Sequence, residues 1–74
     1  MTPDVRLAVA RVDVAAAARL RRYAAAHPGQ RSAAVGFALD GANQVVDAFE
    51  AGRMTEPQCV ARLDDIAAAL DGRK

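Results

Sequence analysis

Two breaks limit how this 74-residue chain can fold: His27-Pro28-Gly29 and Gly52-Arg53. Proline lacks a backbone donor and clashes with the preceding turn, while glycine frees the chain to reverse. The stretches around these breaks are rich in alanine, leucine and arginine, all strong helix formers. The chain therefore reads as a single domain over residues 1–74. It is mainly α, a small bundle with helices near 4–26, 32–51 and 55–71.

The third stretch carries the clearest signals. Thr55 is placed to cap it and Gln58, three residues on, completes a capping box. Met54 before the cap and Cys59 beyond it have the spacing of a hydrophobic staple. Glu56 and Pro57 suit a first turn, where donors are free and the dipole favours an acid. Val60, Leu63, Ala67 and Leu70 then recur at helical spacing with Ile66 beside them, and Gly72 ends the run.

In the middle stretch Val35, Leu39, Ala42, Val46 and Phe49 form one stripe, with Phe37 and Val45 on a second face. Apolar residues on two faces predict a central helix packed from two directions. Gly36 and Gly41 each cost about 1 kcal/mol in a helix relative to alanine. Two explanations stand for them, a close approach of another backbone and tolerated weak spots.

The first stretch admits two readings. Val5, Leu7 and Val9 alternate with Arg6, Ala8 and Ala10, the period of a strand near 5–12, with Asp13 capping a helix that follows. Thr2-Pro3-Asp4 is also a good helix start, and Val5, Val9, Val12, Ala16, Leu20 and Tyr23 make a continuous helical stripe. A single helix leaves Leu7 and Val14 off that stripe, where they would mark a contact with another chain.

A chain this short buries only about 60% of its unfolded surface. Cys59 is the single cysteine and His27 the single histidine, which excludes an internal disulfide and a Cys/His metal cluster. A partner, by default a second copy, is the remaining source of stability. No apolar run approaches a membrane span, and the charged N-terminus does not resemble a signal peptide, so the expected compartment is the bacterial cytoplasm or a host equivalent. Residues 1–31 hold six arginines against two aspartates, net +4; residues 32–74 hold four cations against seven carboxylates, net −3. This split fits an anion-facing end joined to a different far end, or simply solvated helix faces.

With the strand reading, residues 7–39 resemble the ribbon-helix-helix family of dimeric bacterial repressors and antitoxins. The matching residues are Asp13, Leu20, Ala24, the Pro28-Gly29 turn, and the run RSAAVGFAL with Arg31, Ser32, Val35, Ala38 and Leu39. The resemblance implies an intertwined dimer with paired strands in the DNA major groove, and an acidic C-terminal extension that grips a partner such as a toxin. The sequence departs from the family at the strand itself. Of the side chains that would face DNA in either register, only Arg11 or Arg6 is basic. The segment from Phe49 to Leu70 resembles the short helical hairpins through which many bacterial proteins self-associate.

Reactive groupings are sparse. His27 lies beside a turn, Cys59 falls on an apolar stripe, and Asp64 and Asp65 are adjacent and so diverge on a helix. No catalytic residue, metal or cofactor is expected. Two non-enzymatic functions remain. The first is a ribbon-helix-helix-like, DNA-binding regulator of transcription or antitoxin. Arg6, Arg11, Arg19, Arg22, Arg31 and Ser32 would then meet nucleic acid or an acidic partner, and Val45, Phe49, Met54, Leu63, Ile66 and Leu70 would meet a protein. The second is an all-α interaction module, an adaptor or a phage-type inhibitor, that occludes a surface of a larger protein complex.

Overall fold

A computed structural model of the chain describes residues 2–29 and 32–72. Three helices follow one another: α1 (Pro3–Ala26), α2 (Ala33–Glu50) and α3 (Glu56–Leu70). The molecule is elongated, 41 × 20 × 18 Å. No strand occurs among the described residues. Residues 5–12, read above as a possible ribbon, lie within the first three turns of α1, and Asp13 is an exposed mid-helix residue rather than a cap. The physical reason lies at the start of the helix. The Thr2 hydroxyl accepts from the Val5 amide at 3.3 Å, Pro3 occupies the first turn and Asp4 meets the positive end of the dipole. Alanine then favours propagation over a strand.

The buried stripe of α1 is Val5, Ala8, Val12, Ala15 and Ala16. It is rotated slightly from the expected one: Val9 and Tyr23 are half-buried and Leu20 is exposed. This stripe meets Cys59, Leu63 and Leu70 of α3 and Val35 and Ala42 of α2 in one core. The helices α1 and α3 run parallel, as three cross-links at successive levels establish. The Thr2 hydroxyl donates to Glu56 Oε1 at 2.8 Å, Arg11 Nη1 donates to Asp64 Oδ1 at 3.0 Å, and Arg22 Nη2 reaches the Leu70 carbonyl at 3.5 Å. The helix packed most extensively on both neighbours is α3, not α2. The expectation of a central α2 fails because Phe37, on its second face, is left 77% exposed.

The hairpin between α2 and α3 forms as its residues dictate. Gly52 takes φ +79°, which side-chain-bearing residues rarely adopt. Its amide donates to the Phe49 carbonyl at 3.0 Å, and the Arg53 amide donates to the Ala48 carbonyl at 2.9 Å, closing a Schellman motif. The capping box is present in full: the Gln58 amide donates to Thr55 Oγ1 at 3.4 Å and the Thr55 amide to Gln58 Oε1 at 3.0 Å. Met54 packs against the core that holds Cys59.

Neither mid-helix glycine is needed for a close backbone approach. A Cβ at Gly36 would meet nothing within 4 Å, and one at Gly41 would lie 3.9 Å from Ile66 Cδ1, an ordinary contact. Two opposite effects follow. Thr55→Ala should lower unfolding stability by about 1 kcal/mol through loss of the cap, and Gly36→Ala should raise it by about 1 kcal/mol through helix propensity. Urea denaturation with an unchanged m-value checks both.

Candidate functional site

Of the arginines singled out above, Arg11, Arg19 and Arg22 lie on one flank of α1, within about 80° of one another, and Arg6 lies off it. Arg6 and Arg11 are five residues apart on α1 and therefore point about 140° apart. Arg11 is committed to Asp64 on α3, and Arg22 turns to the last turn of α3. Arg19 lines a groove between α2 and α3. Ser32 is the N-cap of α2, but its side chain makes no capping bond. Arg31 lies outside the described residues. The basic first third of the sequence thus becomes a series of cations along α1, of which Arg11 meets the Asp64 carboxylate and Arg22 the Leu70 carbonyl of α3.

The apolar side chains proposed as partner contacts are mostly committed to the interior. Leu63 is fully buried and Leu70 nearly so. Val45, Phe49, Met54 and Ile66 are half-buried and packed on the core. Their helical spacing identified the packed face of each helix, and it is this packing that removes them from solvent.

The exposed large apolar side chains lie elsewhere: Leu20 near the end of α1, and two groups that border grooves. On α1, Leu7 and Val14 are 54% and 69% exposed. They stand along a groove between α1 and α3, floored by alanines that include Ala15, Ala18 and Ala67 and bridged by the Arg11–Asp64 pair. On α2, Phe37 projects beside a second groove lined by Ala38, Gly41, Ile66 and Leu70, with Arg19 at its rim. Leu7 and Val14 were legible in the sequence as residues off the α1 stripe. Phe37 was legible as belonging to a second face, but its period gives no sign that this face is unpacked.

Reactive groups are isolated. Cys59 is fully buried among core residues, and burial, then the nearby Glu56 carboxylate, push its thiol above the ordinary cysteine value. Both effects disfavour the thiolate, the reactive form. His27 is the C-cap of α1; its amide donates to the Tyr23 carbonyl at 2.7 Å and its ring stacks on Tyr23 at a 4.3 Å centroid separation. Among the described residues no three His, Cys, Asp or Glu side chains are grouped to hold a metal ion, and no helix is long and apolar enough to cross a membrane. The native protein should therefore react slowly with an aromatic disulfide reagent at neutral pH and fully once denatured. Rapid labelling of the folded state would place Cys59 in contact with water. Comparison with family models, curated proteins and solved structures gave no match to this chain.

Proposed function

We propose that this chain is a non-enzymatic, all-helical interaction module that works by presenting apolar helix faces to another polypeptide. The observation that carries this reading is the exposure of three large apolar side chains, Leu7, Val14 and Phe37, on two separate faces of so small a molecule. Leu7 and Val14 adjoin one alanine-floored groove and Phe37 another, and apolar surface gathered at a groove marks interaction sites. The alternative of a DNA-reading regulator has less support. The segment that would read bases is helical, and its arginines diverge around α1. Phosphate recognition draws on a cluster of available cations, and of the three on the shared flank of α1, Arg11 and Arg22 are already engaged by α3.

Phe37 is the place to test this, because its side chain is mostly outside the core and can be replaced without disturbing packing. A photo-crosslinking phenylalanine analogue at position 37, irradiated in the cells that make the protein, should yield discrete adducts to a polypeptide, insensitive to nuclease. Adducts removed by nuclease, or none above those at the exposed polar position Asp47, would defeat the proposal.

A further inference from the structure

The exposed face of α1 carries a pattern that the internal core does not use. Asp4, Leu7, Arg11, Val14, Ala18 and Arg21 follow one another at spacings of three, four, three, four and three. This is the spacing of a coiled-coil seam, with Leu7, Val14 and Ala18 apolar and Asp4, Arg11 and Arg21 charged, and it lies on the flank of α1 that borders the groove against α3. It extends over roughly 26 Å of helix at 1.5 Å per residue, on a molecule 41 Å long. Asp4, Leu7, Arg11, Val14 and Arg21 are exposed, and Ala18 is half-buried.

We propose that this seam is covered by the same seam of a second copy of the chain, running antiparallel about a two-fold axis that crosses α1 near Val12 and Asp13. The inference rests on the interaction-module reading and names one of its partners. The order of residues along the seam supplies the argument. In the antiparallel register Leu7 lies opposite Ala18 of the second copy, large against small. Arg11 lies opposite Val14, and Asp4 lies opposite Arg21. The two-fold repeats each pair, as an isologous interface requires. In a parallel dimer every residue would face itself, setting Asp4 on Asp4, Arg11 on Arg11 and Arg21 on Arg21, like charges at three of six layers. Only the antiparallel arrangement is self-complementary.

Arg11 is the one cation in the middle of the seam, and α3 supplies what it needs. Its guanidinium is drawn aside to Asp64 Oδ1 at 3.0 Å. The aliphatic stem is left to cover the neighbouring valine, in the manner of long basic side chains over apolar surface. The carboxylate offsets the approach of the two Arg11 residues near the axis. The groove thus has the size pattern, the charge order and the compensating group for its own copy.

Sedimentation equilibrium through the micromolar range tests this. The expected wild-type mass is twice 7.8 kDa. Val14→Arg, at a position 69% exposed in the single chain, sets a second cation against Arg11 of the second copy and should give a monomer with an unchanged helical spectrum. Asp4→Arg and Arg21→Asp should each weaken association at least roughly tenfold through repulsion at both ends, and the double variant carrying both should recover it. A monomeric wild type, a dimer indifferent to Val14→Arg, or single variants whose combination does not recover would each overturn the proposal. A monomeric wild type that still yields polypeptide adducts at position 37 would sink the dimer and leave the module reading standing.

Discussion

The structure depends on how closely α1 can approach α3. Ala8, Ala15 and Ala16 on the inner face of α1 present almost no side-chain volume, so the helix settles against Cys59 and Leu63 with Val5 and Val12 filling the spaces between. The contact is buried but thin. The largest fully buried side chain in the molecule is Leu63, followed by valines and the cysteine. Burial free energy follows apolar area, at about 25 cal/mol per Å², and alanine contributes little of it. The same alanines that make the packing possible therefore keep the interior small. The larger apolar residues of the first two helices are left at its margins or outside it: Leu7, Val14, Leu20 and Phe37.

Parallel packing of α1 and α3 also sets like helix ends side by side, which their dipoles oppose. Polar groups sit at both ends of the pair where this opposition is greatest. At the amino ends, Glu56 brings a carboxylate to the first turn of α3 and accepts the hydroxyl that caps α1, so one acid serves two positive helix ends. At the carboxyl ends, Arg22 brings a cation to the Leu70 carbonyl. Arg11 and Asp64 join the helices midway, but on the surface, where such a pair contributes at most about 1 kcal/mol. The end contacts define the register of α1 on α3; the apolar contacts supply most of the energy.

Much of this was legible in the residues, and the failures have identifiable causes. The α3 boundaries followed from Thr55, Gln58 and Gly72, because capping chemistry is local and depends on few neighbours. The break at Pro28-Gly29 and the hairpin at Gly52 followed for the same reason. The first stretch was ambiguous because alternation and helical periodicity overlap in a short run where valine and leucine are separated by alanine. Its start, not its period, decides in favour of the helix through Thr2, Pro3 and Asp4. The packed faces of the helices were legible, but whether a given face is covered by this chain depends on tertiary arrangement. Leu63 and Leu70 are absorbed by the core, while Phe37, on an equally plausible face, is not.

The charge split misled in an instructive way. Along the sequence a basic first part precedes an acidic remainder, which suggests a molecule with two electrostatic ends. Parallel packing removes that polarity, because the halves lie along each other instead of end to end. Arg11 of α1 sits level with Asp64 of α3, and Arg22 level with the Leu70 carbonyl at the α3 terminus. What persists along the long axis is finer: the single helix α1 keeps Asp4 at one end and Arg19, Arg21 and Arg22 at the other. That residual gradient belongs to one element, and its direction reverses only when α1 does. An element with such a gradient is best complemented by its own reverse, which is the electrostatic basis for expecting a second copy of the chain rather than a uniformly charged polymer against this face.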